Sequence, residues 1–339
     1  MMKKTNKLLF IIIITTFFSC VHSSKTEKYQ THRNIVINVQ DKVKEIEIED
    51  VLIGSIAPLY SLGEYLIIGD PKSDDKLIHI FNKNNFSYMT SLGTRGQGPE
   101  EITNIGHIAI DENHHRFYVS DHGKQKIFSY NIDSVLLDPS YKPEVKMTMD
   151  ERQFPSTYQI INDTLAMGLI IEPTGNSGFN QSLAKWNMET RKIEPMKYKH
   201  PDIEKKRVTF AASNENGIYV ECYSYHDLMT ICDMNGNLQC NIYGENWDKR
   251  TSNEIHHFGD VVFCGDKILA SYSGGNNLTN EYYPTQFFVF NLNGDYVETI
   301  DLGYRISRFC YDKQNHRLIM NLEDIIQFAY LDLDGIIEL

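Results

Sequence analysis

Basic residues are scarce in this 339-residue sequence. Only 33 Lys and Arg stand against 45 Asp and Glu, which gives a net charge of −12 at pH 7. A nucleic-acid surface needs a basic patch to neutralise phosphates, so we predict no nucleic-acid partner. Proline and glycine are also few, at 10 and 21 residues, which argues against long disordered tracts. The hydrophobic share of 41% is enough to bury a sizeable core.

Motifs for catalysis, metals and cofactors are equally scarce. The sequence has no Gly-x-Ser-x-Gly elbow and no phosphate-binding Gly-Lys-Ser/Thr. The stretch that ends in His256-His257 is not the His-Glu-x-x-His motif of zinc proteases, and residues 332–335 lack the ligand spacing of a calcium loop. Neighbours on a strand point to opposite faces, so such a histidine pair rarely chelates one metal. We therefore predict no metal and no cofactor.

Only one long apolar run is present, at residues 8–18, and three lysines precede it. The run is too short for a helix that crosses a bilayer core of about 30 Å. A positive segment followed by a short apolar run is typical of a signal peptide, which we place at residues 1–19.

The end of this leader, Phe17-Phe18-Ser19-Cys20, resembles a bacterial lipobox. We predict that Cys20 carries a lipid, and that the polar residues 20–33 form a tether to the membrane. This places the protein in the cell envelope, with a periplasm-facing anchor in the outer membrane preferred. The alternative is an ordinary signal peptide with an incidental cysteine.

Five cysteines follow Cys20, an odd number without the spacing of a zinc site. If a hairpin turns at residues 225–227, Cys222 and Cys232 lie opposite each other, and a cross-strand disulfide is one outcome. The other outcome is buried thiols that pack as small hydrophobic groups.

The strongest pattern is a six-fold echo of paired apolar strands, each pair ending in a polar turn. Aligned residues in the second strands recur about every 50 residues, at Phe81, Tyr130, Trp186, Cys232, Phe290 and Leu331. A strand repeat of this period is typical of β-propeller blades. We predict an all-β, six-bladed β-propeller over residues 34–339. Asn235-Gly236 and Asn293-Gly294 predict two-residue type I′ turns into the outermost strands.

Residues 93–130 carry the most specific signature. They contain Gly93-Thr94-Arg95-Gly96-Gln97-Gly98-Pro99-Glu100-Glu101, a strand that ends in Asp111, and the strand Phe117-Tyr118-Val119-Ser120-Asp121. This stretch resembles an NHL-type propeller repeat. With the lipobox and six degenerate blades, the chain resembles the TolB-like six-bladed propeller lipoproteins of Gram-negative bacteria. That resemblance implies the fold and an envelope location, and no settled activity.

The glycine-rich loop has a structural interpretation. Gly96 and Gly98 permit backbone angles that other residues avoid, and Pro99 fixes the exit of the chain. We predict a connector between two blades, in which Arg95 and Glu100 form an ion pair. A ligand-binding loop is the alternative.

Closing the ring requires a strand for the last blade, because an open blade leaves an unpaired edge. The repeat ends close to Leu339, whereas spare strands lie at residues 35–39 and 44–51. We predict that one of these N-terminal strands completes the last blade.

One face of the propeller should carry the loops inside each strand pair, and such loops are often a binding face. Two are long, at residues 172–181 and 273–285. The candidate binding residues on this face are Phe179, Tyr223, Tyr225, His226, Tyr272, Tyr282 and Tyr283, with Asp121 and His122 nearby.

Tyrosine offers a flat apolar surface with a polar tip, which suits sugar rings or peptides. We therefore expect a monomeric, non-catalytic module that binds an envelope protein, a peptide or a glycan. The alternative is a hydrolase or lyase with a metal or carboxylates at the channel mouth, where Asp70, Asp121 and His226 would converge.

Overall fold

The computed structural model describes residues 26–175, 178–250 and 252–338. Within these ranges the chain forms six sheets of four or five strands. Innermost strands of successive sheets contact one another, so the sheets are the blades of a six-bladed β-propeller. The all-β propeller predicted from the repeat is confirmed.

The strands follow one another from the centre of each blade outward. The N-terminal segment contributes β1 (Glu27–Gln30), β2 (Val36–Asn38) and β3 (Lys44–Glu45). Blade 1 has β4 (Leu59–Leu62), β5 (Tyr65–Gly69), β6 (Lys76–Asn82) and β7 (Tyr88–Thr94). Blade 2 has β8 (Ile105–Asp111), β9 (Arg116–Asp121), β10 (Lys126–Asn131) and β11 (Glu144–Thr148). Blade 3 has β12 (Phe154–Ile160), β13 (Leu165–Gly175), β14 (Gly178–Asn187) and β15 (Ile193–Pro195).

The second half of the ring repeats this order. Blade 4 has β16 (Val208–Ser213), β17 (Ile218–Tyr223), β18 (Leu228–Asp233) and β19 (Leu238–Gly244). Blade 5 has β20 (Ile255–Cys264), β21 (Lys267–Asn276), β22 (Gln286–Asn291) and β23 (Tyr296–Asp301). Blade 6 has β24 (Ile306–Asp312), β25 (Arg317–Leu322) and β26 (Phe328–Asp332).

Within the residues that the structure describes, the helices are short. These are α1 (Ile132–Leu137) and the 3-10 turns Gln40–Lys42, Glu112–His114 and Asn280–Tyr282. Among the residues placed by the structure, no helix has the length and apolar character needed to cross a membrane.

The core is divided into clusters that fill the spaces between neighbouring blades. Each of the six residues aligned by the repeat lies in a different cluster, and all six are almost fully buried. Trp186, for example, packs with Ala109 and Tyr118 between blades 2 and 3. The repeat period is therefore the spacing of inter-blade contacts, which each blade must make with its neighbour to bury its apolar faces.

The turns before the outermost strands differ from the prediction. Gly236 and Gly294 have φ of 79° and 82°, but the asparagines before them are not in the left-handed region. A type I′ turn needs positive φ at both central residues, so these are not type I′ turns. The carboxylate of Asp233 accepts the backbone N–H groups of Asn235 and Asn237, which stabilises a wider turn with only glycine left-handed.

The ring is closed by the N-terminal segment, as predicted. Strand β3 pairs antiparallel with β26 as the fourth strand of blade 6, and the N–H of Ile46 donates to the carbonyl of Phe328 at 2.8 Å. The earlier candidate strand, β2, instead pairs parallel with β23 and adds a fifth strand to blade 5.

The segment proposed as a tether needs correction in its described part. Strand β1 pairs parallel with β19 as a fifth strand of blade 4, because the N-terminal segment continues around the outside of the ring. Residues 26–46, here called the belt, thus cover the outer edges of blades 4 to 6. The predicted boundary at residue 34 therefore leaves out residues 27–30, which form a strand of blade 4. The predicted signal peptide and Cys20 lie outside the described residues.

Two local expectations are also corrected. Cys222 faces Met229 across the β17–β18 hairpin and Cys232 faces Tyr219, so the cysteines are not opposite each other. All five cysteines after Cys20 are buried and free. The long loop expected at residues 172–181 is mostly the end of an extended hairpin of β13 and β14.

Candidate binding groove on the loop face

The loops inside the strand pairs and the connectors between blades share one side of the ring, here called the loop face. The guanidinium of Arg95, in the connector from blade 1 to blade 2, donates to the carbonyls of Pro71 and Ser73, both at 2.7 Å. Lys124, in the strand-pair loop of blade 2, donates to the carbonyls of Gly98 and Glu101. These contacts fasten connectors to loops.

The glycine-rich connector is packed by Glu101. Its carboxylate accepts the N–H of Gly98 at 2.7 Å, and a Cβ on Gly96 would overlap that carboxylate. Neither Gly96 nor Gly98 has a positive φ, so close approach, and not backbone angle, requires glycine here. The predicted Arg95–Glu100 ion pair is absent, because Glu100 pairs with Lys142 at 2.9 Å. Pro99 lies in the same turn of the chain.

Asp121 has a structural role that was not predicted. It is fully buried and accepts the N–H groups of Thr103 and Asn104 at 2.8 and 3.0 Å, which belong to the incoming connector. Asp70 does the same for Gly54 at 3.0 Å. These carboxylates are occupied by backbone donors, so they hold the connectors in place. His122 is half-buried, with its ring 5.3 Å from that of Phe154.

Two of the predicted aromatic residues lie in the core, and a third lies on the surface away from the groove. Tyr223 is buried in the cluster between blades 3 and 4, and Tyr272 in the cluster between blades 4 and 5. Tyr223 is the last residue of β17 and Tyr272 lies within β21, and both continue runs of buried residues that place their rings in the core. Phe179 lies on the exposed hairpin of blade 3, under the guanidinium of Arg207 at 3.9 Å.

Tyr225 and His226 do line a groove of about 570 Å³ between blades 4 and 5. Its other wall is the connector from β19 to β20, and the polar side chains that line it are Asn246, Asp248, Arg250, Ser252, Glu254 and His257. We name this cavity the groove. Nδ1 of His226 hydrogen-bonds the carbonyl of Asp248 at 2.9 Å, which fixes the connector against the blade 4 loop.

A second cavity, of about 210 Å³, opens at the mouth of the central channel. Tyr282 and Tyr283 lie at its edge with their rings 4.1 Å apart. The His256 ring is 6.3 Å from both Tyr225 and Tyr282. Four aromatic rings therefore run from the groove to the channel mouth, and we call this row the aromatic bridge.

Burial sets the charges around the groove. It lowers the pKa of His256, and it lowers the pKa of His257 to about 4. Both imidazoles are neutral at pH 7. Hydrogen bonds from Arg250 lower the pKa of Asp248 to about 2, so this carboxylate is ionised. The neutral imidazoles of His256 and His257 thus lie around the groove, beside the ion pair of Arg250 and Asp248.

The connector residues of the groove were missed by sequence reasoning. Asn246, Asp248, Arg250 and Glu254 carry no motif, and only the length of the segment between blades 4 and 5 could have drawn attention to them. His257 was noted only as half of a histidine pair. In the parts of the chain that are placed, no group of three or more His, Cys, Asp or Glu side chains could hold a metal ion.

Comparison with known proteins agrees with the fold. Residues 47–160 match the family DUF5128, described as a six-bladed beta-propeller; they span blades 1 and 2 and the innermost strand of blade 3. No curated protein matches the chain.

Several solved structures are similar over most of the chain. A Bacteroides fragilis NCTC 9343 protein described as exported has a TM-score of 0.55 at 12% identity, covering 87% of this chain and 88% of that one. A duf4221 family member from Bacteroides vulgatus atcc 8482 has a TM-score of 0.56 at 10% identity, covering 86% and 98%. A luciferin-regenerating enzyme has a TM-score of 0.54 at 10% identity, covering 85% and 94%. At such identities the likeness concerns the fold alone.

Proposed function

We propose that this protein is an exported propeller of the cell envelope, and that it binds a hydroxyl-rich ligand, an oligosaccharide, in the groove. The observation that carries this proposal is the lining of the groove. Tyr225 supplies a flat ring, and Asn246, Asp248, Arg250 and Glu254 supply hydrogen-bonding groups. A sugar presents many hydroxyl donors and acceptors that such groups satisfy. Large apolar side chains, which would anchor a hydrophobic ligand, are few there.

The envelope location is supported by the leader and by the Bacteroides fragilis protein described as exported. The direction of β1 is compatible with a lipid on Cys20. Strand β1 runs parallel to β19, which starts near the Asn235-Gly236 turn and ends on the loop face. The chain therefore enters the belt from the side opposite the groove. Six residues reach at most about 20 Å, so the lipid would hold that opposite side toward the membrane and leave the groove open to ligands.

The test is a screen of oligosaccharides against the protein from residue 21 onward, followed by calorimetry with a saccharide that binds. Tyr225→Ala should weaken binding about two- to tenfold, since stacking on an aromatic ring is worth about 0.5–1.5 kcal/mol. Phe179→Ala is the matched control, because Phe179 is an exposed ring on the loop face but outside the groove. Failure of every saccharide to bind, or equal effects of the two variants, would refute the proposal.

A second candidate ligand is a protein partner, favoured by the loops of blades 5 and 6 and the connector into blade 1. Leu278, Ile325 and Leu52 are 88%, 96% and 97% exposed at loop tips. The side chain of Gln327 donates to the carbonyl of Ile53 at 3.0 Å, so the loops that carry Ile325 and Leu52 are adjacent. Isolated aliphatic side chains are common on surfaces, but neighbouring ones mark interaction sites.

Acidic side chains flank these tips, at Glu49, Asp50 and Glu281. The partner should therefore combine an apolar patch with basic charge. Replacing Leu52, Leu278 and Ile325 together by Ser should abolish cross-linking to envelope proteins without lowering the melting temperature. The same triple change at exposed Met89, Leu137 and Val145, away from the loop face, should leave the cross-links intact. Cross-links that survive the first triple change would reject this partner.

A further inference from the structure

Four side chains form a continuous chain of contacts beneath the groove. Nη1 of Arg33 lies 2.8 Å from Oδ1 of Asp227. The hydroxyl of Tyr272 donates to Oδ2 of Asp227 at 3.3 Å, and Nδ1 of His257 lies 3.3 Å from that same hydroxyl. All four side chains are almost entirely buried, and only His257 also lines the groove.

We propose that His257 is a specificity-determining residue, which presents Nε2 as a fixed hydrogen-bond acceptor to the ligand, and that Tyr272, Asp227 and Arg33 are its positioning residues. The proposal rests on the proposed oligosaccharide function only for the identity of the ligand. It extends that function by naming the group that reads a hydroxyl or N–H donor.

The protonation of the chain follows from its chemistry. An ionised carboxylate only accepts hydrogen bonds, so the Tyr272 hydroxyl must give its proton to Asp227. The tyrosine oxygen is then left as the acceptor, and Nδ1 of His257 must carry the proton. A neutral imidazole with Nδ1–H has its lone pair on Nε2. Burial lowers the pKa of His257 to about 4, with Asp227, His226, His256 and Arg33 facing it, so this tautomer stays neutral at pH 7.

Nε2 of His257 is the free end of the chain. Within the ranges that the structure describes, no side chain or backbone group hydrogen-bonds this nitrogen. Some polar atoms without a partner are fully enclosed by protein, such as Nε2 of His79, but Nε2 of His257 is not one of them. The nitrogen is therefore not fully enclosed, and because His257 lines the groove we place it at the groove wall, where a ligand hydroxyl is a fitting donor.

The belt contributes the last group. Arg33 lies between β1 and β2, with its guanidinium 4.8 Å from the Phe288 ring centroid and 5.6 Å from that of Phe290. The aromatic faces and Asp227 hold it in place. A buried carboxylate without a cation is strongly unfavourable, so Arg33 keeps Asp227 as the acceptor that orders Tyr272. The belt thereby connects ring closure to the groove.

The first test needs no ligand. The full chain, labelled with ¹⁵N-histidine, is measured by long-range ¹H–¹⁵N NMR at pH 7, with His257→Gln to assign the signal. We expect the Nδ1–H tautomer in the wild type and a mixture of tautomers in Tyr272→Phe. Diethyl pyrocarbonate should modify His257 at Nε2, as mapped by mass spectrometry. An Nε2–H tautomer in the wild type, an unchanged signal in Tyr272→Phe or an unreactive His257 would overturn the proposal.

The second test uses the saccharide found by the screen. Tyr272→Phe and Arg33→Met should each weaken binding about tenfold, with the circular dichroism spectrum unchanged. Lys28→Met is the matched control, because Lys28 is a belt residue whose ion pair with Asp295 lies on the surface. If Tyr272→Phe binds the saccharide as the wild type does, His257 is not the selective acceptor. If no saccharide binds but the tautomer is as expected, the proposed oligosaccharide function fails. The chain of contacts from Arg33 through Asp227 and Tyr272 to His257, here called the relay, is then still supported.

Discussion

The two halves of the ring use the same loop face differently. In blades 1 and 2, Asp70 and Asp121 at the strand ends accept the backbone N–H groups of the incoming connectors. In blade 4, Asp227 accepts one connector N–H, from Asn246 at 3.2 Å, and pairs with Arg33 of the belt. In the first half, these carboxylates bond the backbone of the connectors. In the belted half, an outside cation helps to fix the site, and connector side chains remain open to a ligand.

The outer edges show the same contrast. Blades 1 to 3 end at their own fourth strands, whereas β1 and β2 add fifth strands to blades 4 and 5 and β3 supplies the fourth of blade 6. The groove and the channel-mouth cavity both lie in the belted half. A binding site needs a rigid support, and the belt provides one by adding strands to blades 4 and 5, which form the groove.

The largest expected effect comes from removing the belt where it closes the ring. Deleting residues 34–51 should abolish cooperative unfolding in urea, because β26 loses its partner and the cluster between blades 5 and 6 is opened. Deleting residues 173–180, at the end of the blade 3 hairpin, is the control and should leave one cooperative transition, because the residues described there are exposed. A single cooperative urea transition in the first deletion would show that the ring folds without the belt.

The next effect concerns the seam where blade 6 meets blade 1. Asp312 is buried between Lys83 at 2.7 Å and Arg317 at 3.0 Å. Asp312→Ala leaves two buried cations unpaired and should lower the free energy of unfolding by about 3–5 kcal/mol. Asp332→Ala breaks the half-exposed pair with Lys44 of the belt and should lower the free energy of unfolding far less, because solvent screens exposed ion pairs. Urea titration measures both, and similar losses would mean that burial does not set the strength of the seam.

The smallest expected effect is the loss of stability at acidic pH that comes from one buried histidine in each half of the ring. Burial lowers the pKa of His107 in blade 2 and of His257 in blade 5 to about 4, against about 6.5 when unfolded. The unfolded chain therefore binds more protons between these pH values. Stability is fully present above pH 6.5 and is lost as the pH falls toward 4, by up to about 3 kcal/mol for each histidine.

Unfolding measured from pH 7 to pH 4 checks this titration. His107→Gln and His257→Gln should each remove part of the acid-induced loss. His115→Gln, at an exposed position, should not change the slope. Equal slopes in all variants would contradict the assignment of buried neutral imidazoles to both halves.

The repeat made the fold predictable because it reports a local requirement. Residues such as Phe290 and Trp186 recur at the point where each blade packs on its neighbour, so their spacing shows in the sequence. Ring closure followed from the same logic, since an unpaired last blade needs a spare strand. The groove was only half predicted: Tyr225 and His226 were found as loop residues, whereas Tyr223 and Tyr272 were assigned to the surface although their strands draw them into the core.

The sequence by itself determined the propeller, its six blades, the acidic character of the chain and the N-terminal strand that closes the ring. Each of these depends on composition or on contacts repeated at a fixed spacing. The tertiary structure decided the belt, the burial of Asp121 and the relay from Arg33 to His257. Arg33 and Asp227 are 194 positions apart, and nothing in the local pattern of either residue marks the other as its partner. Such contacts arise only when the ring closes and brings the belt across blades 4 and 5.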